Sequence, residues 1–169
     1  MVGVMSMELH IIQHKYVTTD DLKRIIAMKS VAWPFPPESQ MRWMDLHVRP
    51  EDRHVILRDG GVDRAYLSLS PVVASVDGEP VAFEGVGCVC TGFPGEGWGG
   101  RLMEEVGRLL SQEETPGLLF CRERLVPFYQ KYGWSEVPEM HFTEPQEGVH
   151  TLWFGAGGGR RMEYGDRLF

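Results

Sequence analysis

The middle third of the chain alternates hydrophobic and polar residues, a period of two that is typical of β-strands with one buried face. This pattern predicts strands over residues 54–57, 64–76 and 80–91. Asp77-Gly78 lies between the second and third of these segments and is a strong signal for a tight hairpin turn. We therefore expect an antiparallel meander, preceded by a further strand over residues 8–17.

Helical spacing replaces this alternation on either side of the meander. Thr18-Thr19-Asp20-Asp21 has the form of a capping box, which marks the start of a helix. Four residues after it recur at helical intervals and predict a helix to about Val31: Leu22, Ile25, Ile26 and Lys29. Residues 38–47 and 124–132 predict two shorter helices.

A glycine-rich turn separates the meander from the second half of the chain. Residues 95–100 (GEGWGG) stand between a predicted strand and an amphipathic helix, and another buried strand follows that helix. A strand, a turn, a helix and a second strand imply a parallel crossover. Three more strands are predicted, at residues 118–121, 134–143 and 149–154.

Length and charge restrict the classes of function. The 169 residues suit a single domain. We expect it to span residues 1–154, followed by a glycine-rich hinge and a charged tail over residues 155–169. Acidic residues outnumber basic ones 24 to 17, a net charge of −7, so no nucleic-acid partner is expected. The same charge suits a small cationic substrate.

Cysteine use and the apolar runs predict a cytoplasmic protein. Cys88, Cys90 and Cys121 are too few and too odd in number for a disulfide framework, and no ligand-like His or Cys pairs accompany them. We therefore expect neither disulfides nor a bound metal. The first residues lack the features of a signal peptide, and no apolar run approaches the ~20 residues of a membrane span, so no membrane association is expected.

The glycine-rich turn is the first candidate binding site. Its four glycines, Gly95, Gly97, Gly99 and Gly100, cost more backbone entropy than a plain turn requires. Exposed amides at a helix N-terminus suit a phosphate or a pyrophosphate. The spacing also matches a dinucleotide fingerprint, with Glu123 near the place of a ribose-binding acid. That fingerprint normally opens a large parallel sheet, whereas here it follows antiparallel hairpins.

Two motifs in this order resemble the GNAT superfamily of N-acetyltransferases. Residues 89–102 (VCTGFPGEGWGGRL) resemble its acyl-CoA pyrophosphate loop, and residues 128–134 (FYQKYGW) resemble its second signature. The resemblance covers about residues 8–154 and implies an α/β (α+β) fold, with a mixed, mostly antiparallel sheet of six to seven strands and about four helices. One departure is Pro94, which replaces a Gln or Arg of the family and removes a side-chain donor and a backbone N–H.

The resemblance implies acetyl-CoA as co-substrate and assigns its contacts. The main chain of Cys88, Val89 and Cys90 would hold the pantetheine, and Phe128 is counted with the cofactor-binding residues. Tyr129 matches the family tyrosine that protonates the departing thiolate, and its ordinary pKa of ~10 is close to that of a thiol. The loop contacts are assigned to seven residues: Gly95, Glu96, Gly97, Trp98, Gly99, Gly100 and Arg101.

The acceptor amine must lose a proton before it attacks, because an ammonium has no lone pair. Glu84 stands in an otherwise apolar segment and lies within a residue of a family glutamate that acts through water. A bulge at Gly85 or Gly87 would fix its register. The rival bases are carboxylates of the tail: Glu163, Asp166 and the terminal carboxylate of Phe169.

Three aromatic residues, Trp33, Phe35 and Trp43, offer stacking faces for a polar ring or a cation, and we expect them to line the acceptor pocket. The chain is therefore predicted to be an acetyl-CoA-dependent N-acetyltransferase that acetylates a primary amine of a small cationic molecule by direct attack on the thioester.

Residues 126–134 (VPFYQKYGW) and the acidic-aromatic tail resemble the aminoglycoside 2′-N-acetyltransferase branch, which makes an aminoglycoside one candidate acceptor. Two other functions stay open, an NAD(P)-binding oxidoreductase and a non-catalytic acyl-CoA-binding module. A homodimer is also compatible with the sequence.

Overall fold

A computed structural model describes residues 7–169. In that range the chain forms four α-helices and nine strands. The helices are α1 (Thr19–Ala32), α2 (Pro37–His47), α3 (Trp98–Gln112) and α4 (Val126–Gln130). The strands are β1 (Met7–Gln13), β2 (Arg53–Asp59), β3 (Val62–Val76), β4 (Glu79–Thr91), β5 (Gly117–Cys121), β6 (Ser135–Glu136), β7 (Glu139–Phe142), β8 (His150–Phe154) and β9 (Arg161–Tyr164).

These elements form two compact units. The first unit contains residues 7–69 and 88–102, and the second contains residues 70–87 and 103–169. The long strands β3 and β4 and the helix α3 contribute residues to both units. None of the helices within residues 7–169 is long and apolar enough to cross a membrane.

The first unit is built on an antiparallel sheet, β1–β2–β3. Its core contains apolar residues of α1, α2 and the strands: Ile25, Ile26, Met28, Met44, Ile56, Tyr66 and Cys90. The capping box predicted at the start of α1 is confirmed, because Asp21 N donates to Thr18 Oγ1 at 3.1 Å and Thr18 N donates to Asp21 Oδ2 at 3.0 Å. Pro37 opens α2, where a proline costs no hydrogen bond.

The second unit begins with the β3–β4 hairpin. Asp77 and Gly78 both have positive φ, +49° and +89°, as a two-residue type I′ turn requires, so this turn prediction is confirmed. Strand β4 pairs in parallel with β5 in the register Glu84↔Gly117, which confirms the predicted parallel crossover through α3. Strands β8 and β6 continue the sheet beyond β5 with antiparallel pairing.

The tail contains a strand that the sequence analysis missed. Residues 161–164, predicted as part of a charged tail, form β9, which pairs with β3 and lies parallel to β7. Met162 and Tyr164 are buried, whereas Arg161 and Glu163 point to solvent. This strand therefore follows the period of two, and the charged residues that suggested a tail belong to its exposed face.

Two other element predictions also need correction. The strand predicted over residues 134–143 is two short strands, β6 and β7, and the helix predicted over residues 124–132 is a 3₁₀ turn, Glu123–Leu125, followed by α4. Pro127 lies in the first turn of α4, where its ring is tolerated, and the preceding residues take the tighter turn. The predicted fold class is nevertheless confirmed: a mixed, mostly antiparallel sheet with four helices, although it has nine strands rather than six or seven within the described residues.

Candidate active site

The glycine-rich loop of the first unit presents an open helix N-terminus. Gly95 and Gly97 have φ values of +84° and +82°, a region that L side chains rarely adopt. Arg101 N donates to Gly97 O at 3.2 Å, so α3 begins directly after Gly97, and the amides of its first turn have no partner within the helix. A Cβ added to Gly95 or Gly97 would meet nothing within 4 Å. The loop thus leaves free space beside donors that suit an anion.

Two guanidinium groups flank the loop. The guanidinium carbon of Arg64 lies 5.0 Å from the ring centroid of Trp98, and that of Arg101 lies 5.0 Å from the same centroid. Arg64 also lies over the Phe93 ring, and its carbonyl oxygen accepts a hydrogen bond from Gly92 N at 3.0 Å. These contacts hold positive charge next to the predicted pyrophosphate loop, where Pro94 has removed one donor.

Arg64 was missed by the sequence analysis. It lies in β3, about thirty residues before the loop, at a polar position of an alternating strand, where an arginine is ordinarily a solvated residue. The tertiary structure brings Arg64 to the loop, through the hydrogen bond from Gly92 N to Arg64 O and the ring contacts with Phe93 and Trp98. Arg101, in contrast, was predicted as a loop contact and lies exposed in the first turn of α3.

Strand β4 is irregular at Cys88, which has a φ of +53°. A non-glycine residue in this region is strained by about 1–3 kcal/mol, and the extended pattern of the strand is interrupted there. The bulge was expected at Gly85 or Gly87, so the irregularity falls next to the predicted position. Burial raises the pKa of the Cys88 thiol and raises that of Cys90 to about 12, which keeps both thiols protonated near neutral pH.

The three aromatic residues predicted to contact the acceptor line one cavity of the first unit. Trp33, Phe35 and Trp43 are 38%, 62% and 39% exposed, and they surround a space of about 410 Å³. Large aromatic side chains that remain this exposed around a concavity are typical of ligand sites rather than of core packing. The lining also includes Lys29, Ser39, Gln40 and Cys88, of which the sequence analysis predicted only Cys88 as a site residue.

Tyr129, the predicted acid, lies in α4 of the second unit and is 7% exposed. Burial, with a smaller contribution from Cys121, raises its pKa well above the ordinary value of 10. Phe128 packs edge to face against the Tyr129 ring at 5.0 Å between centroids. A buried phenol that keeps its proton is suited to act as an acid.

The structure brings two of the rival bases to the same stretch of β4. Glu84 is half-buried, and its backbone N donates to Pro116 O at 2.9 Å, which fixes the strand at this point. A Cβ added to Gly85 would lie 2.5 Å from the Phe169 ring, and one added to Gly87 would lie 2.6 Å from the Phe169 main-chain carbon. These two glycines therefore form a seat for Phe169. Successive strand residues alternate in direction, so this seat is on the face of β4 opposite to the Glu84 side chain.

The other two tail carboxylates have partners at the surface. Glu163 accepts a hydrogen bond from Arg161 at 3.0 Å, and both side chains are more than half exposed. Asp166 Oδ1 accepts from Arg167 N at 2.7 Å. Both carboxylates are exposed to solvent, unlike Glu84.

Comparisons with known proteins identify the fold. No protein-family model and no curated protein matches the chain. Among solved structures, Escherichia coli ElaA aligns with a TM-score of 0.63 at 18% identity, over 89% of this chain and 100% of that one. An acyl-CoA N-acyltransferase from Pseudomonas aeruginosa aligns with a TM-score of 0.63 at 21% identity and the same coverage, 89% and 100%.

A third structure was solved with a ligand. The GNAT family N-acetyltransferase YhbS from Escherichia coli, in complex with CoA, aligns with a TM-score of 0.62 at 13% identity, over 98% of this chain and 93% of that one. Identities this low establish the fold alone. The chain thus has the fold of the GNAT N-acetyltransferases, which is the fold that its two sequence motifs predict.

Proposed function

We propose that this protein is an acetyl-CoA-dependent N-acetyltransferase that acetylates the primary amine of a small molecule. The observation that carries the proposal is the loop at Gly95 and Gly97, which combines positive φ, free space and an open helix N-terminus. A pyrophosphate fits such a loop because backbone amides and the helix dipole both favour negative charge. The guanidinium groups of Arg64 and Arg101 add to the positive field.

The reaction needs few groups. The amine nitrogen attacks the thioester carbonyl carbon, a C–N bond forms, the C–S bond breaks, and the thiolate takes up a proton. We assign the pantetheine contacts to the main chain of Cys88, Val89 and Cys90. Tyr129 is assigned the proton donated to the thiolate. Burial that raises the pKa of the phenol also raises the basicity of a thiolate in the same surroundings, so the transfer stays feasible.

Glu84 is assigned the role of base, directly or through a water molecule. Its half-buried place in a strand between Phe83 and Gly85 supports this assignment, because a carboxylate there is less solvated than one on an exposed edge. The predicted preference for a cationic acceptor, an aminoglycoside among the candidates, stays a prediction, as do the homodimer and the cytoplasmic location.

The test of the proposal is acetyl-CoA binding by a matched pair of variants. Gly97→Val puts a side chain into the space beside the loop amides, whereas Gly61→Val changes a turn glycine with a similar φ of +75° and equally free space. Both variants carry the same backbone strain, but only the first blocks the proposed site. We expect calorimetry to show loss of acetyl-CoA binding, at least ~100-fold, for Gly97→Val alone.

Two further measurements separate this function from the alternatives. Titration with NADPH should give no saturable heat, and thiol release from acetyl-CoA should occur with some amine in a panel of amino acids, polyamines, aminoglycosides and peptides. Wild-type acetyl-CoA affinity in Gly97→Val would refute the loop assignment. Binding without thiol release across the whole panel would instead support a non-catalytic acyl-CoA-binding module.

A further inference from the structure

The aromatic cavity of the first unit contains a buried ammonium group. Lys29 is 6% exposed, and it lies on the same side of α1 as the core residues Ile25 and Ile26. Its Nζ is 4.6 Å from the centroid of the Trp43 ring, one of the walls of the cavity. Lysine is among the residue types that are rarely buried without a partner, so its presence here needs an explanation.

No carboxylate neutralises this charge within residues 7–169. Lys29 Nζ has no ion pair and no hydrogen bond to any described residue; its neighbours are the face of Trp43 and the protonated thiols of Cys88 and Cys90. A cation–π contact only partly replaces the hydration that a buried ammonium loses. The cavity thus presents an uncompensated positive charge to a ligand, and an anionic group of that ligand would form an ion pair with Lys29.

Gln40 supplies a complementary acceptor in the same cavity. Its Nε2 lies 3.0 Å from Ser30 Oγ and 3.0 Å from the carbonyl oxygen of Trp33. A carbonyl oxygen cannot donate, so these contacts fix the orientation of the amide. Oε1 makes no hydrogen bond within the described residues, which leaves it able to accept one from an N–H group.

We infer that this cavity binds an acceptor that carries a carboxylate as well as the reacting amine, together with an aromatic or apolar side group. The carboxylate pairs with Lys29, an N–H contacts Gln40 Oε1, and the side group packs on Trp33 and Phe35. A cavity of about 410 Å³ suits a molecule of the size of an aromatic amino acid. A polycation would bring like charge to Lys29, so this inference disfavours an aminoglycoside among the candidate acceptors. This inference rests on the proposed acetyl transfer and names its acceptor class.

The experiment compares probes that differ in one group. L-Tryptophan, L-phenylalanine and L-methionine carry the carboxylate, and their amides keep the amine and the side chain but lose the negative charge. We expect wild-type protein to prefer at least one of the acids over its amide in kcat/KM for thiol release. Replacement Lys29→Met should lower kcat/KM for that acid ~10- to 100-fold and change the value for its amide less than ~3-fold.

Matched variants control for charge and folding. Lys23→Met removes one positive charge from the exposed side of the same helix and should leave every value unchanged. Methionine keeps the length of the Lys29 stem, so Lys29→Met should melt at the wild-type temperature or higher, since it removes a buried unpaired charge. If that variant fails to fold, Lys29→Gln, which is polar and neutral, makes the same comparison.

Binding measured without acetyl-CoA separates this inference from the proposed reaction. Calorimetry should show the preferred acid binding wild-type protein and binding Lys29→Met at least ~10-fold more weakly. That result would support the inference even if no amine gave thiol release. The absence of thiol release would refute the proposed acetyl transfer but not the binding of the acid. Three outcomes overturn the inference. The first is that wild-type protein prefers no acid over its amide, and the second is that Lys29→Met lowers kcat/KM equally for the acid and the amide. The third is that Lys29→Met loses acetyl-CoA affinity and keeps its affinity for the acid, which would assign the anion at Lys29 to CoA.

Discussion

His54 should make the stability of the first unit depend on pH. Its side chain is fully buried, with Nε2 2.9 Å from His14 Nδ1 and Nδ1 2.6 Å from the hydroxyl oxygen of Tyr66. A neutral imidazole offers one donor and one acceptor, which matches these two partners. Burial, with a smaller contribution from His14, lowers the pKa of His54 from 6.5 to about 4.

The sign and the size of the change in the free energy of unfolding with pH follow from the lowered pKa of His54. Between about pH 6.5 and pH 4 the unfolded chain binds a proton at His54 that the folded chain does not, so the free energy of unfolding falls as the pH is lowered. The stabilisation is complete above about pH 6.5. A difference of about 2.5 pH units, at about 1.4 kcal/mol for each, amounts to about 3 kcal/mol lost by pH 4. For a domain stabilised by about 5–15 kcal/mol that loss is large.

Urea unfolding at a series of pH values from 7.5 to 4 measures the effect. We expect His54→Gln to be less stable than wild type at pH 7, because it loses packing and hydrogen bonds, but to lose about 3 kcal/mol less than wild type as the pH falls to 4. The exposed His141 provides the control, since His141→Gln should keep the wild-type slope. Parallel stability curves for wild type and His54→Gln across pH 6.5–4 would refute the assignment of a neutral, buried His54.

Three further predictions concern the second unit. Tyr129→Phe should lower kcat ~100-fold with unchanged acetyl-CoA affinity, and wild-type kcat should persist past pH 10 because burial raises the pKa of Tyr129; an unchanged kcat would return Tyr129 to a packing role. Glu84→Gln should lower kcat/KM most at pH values below the pKa of the amine, and a pH-independent ratio to wild type would exclude Glu84 as the base. Gly85→Ala should destabilise the protein by about 1–3 kcal/mol in urea unfolding, because its Cβ would meet the Phe169 ring at 2.5 Å, whereas Gly92→Ala makes only ordinary contacts; equal stability of the two variants would show that Phe169 yields freely.

Local signals predicted most of the fold. The Asp77-Gly78 turn, the capping box at Thr18 and the parallel crossover each depend on chemistry within a few residues or on one hydrophobic period, and each is confirmed. The tail was mispredicted because Gly155–Gly159 and the charges after it suggested a solvated segment. The burial of Met162 and Tyr164 depends on pairing with strands β3 and β7, which no local pattern reveals.

The candidate site, like the fold, was predicted from the sequence only where the signal is local. Sequence motifs identified the loop from Gly95 to Gly100 and the aromatic residues of the cavity, because glycine and exposed aromatics have few other uses in those contexts. Arg64 and Lys29 were missed, since a cation in an amphipathic element is usually solvated. One signal for Lys29 was present in the sequence. It falls on the predicted apolar face with Leu22, Ile25 and Ile26, where a charge needs a partner.

Strand β4 departs from regular strand structure at three positions between residues 85 and 88. Gly85 and Gly87 give up side-chain packing to make room for Phe169, and Cys88 adopts a strained left-handed backbone. Glycine in a strand costs about 0.5–1 kcal/mol relative to alanine, and the strain at Cys88 costs about 1–3 kcal/mol more. The two glycines serve core packing, because Phe169 packs against the cluster that contains the buried Phe83, whereas Cys88 lines the aromatic cavity of the first unit. Backbone strain like that at Cys88 is expected where a strand serves a ligand rather than a core. Glu84, the proposed base, precedes Gly85 in this strand, and the proposed pantetheine contacts at residues 88–90 begin at Cys88.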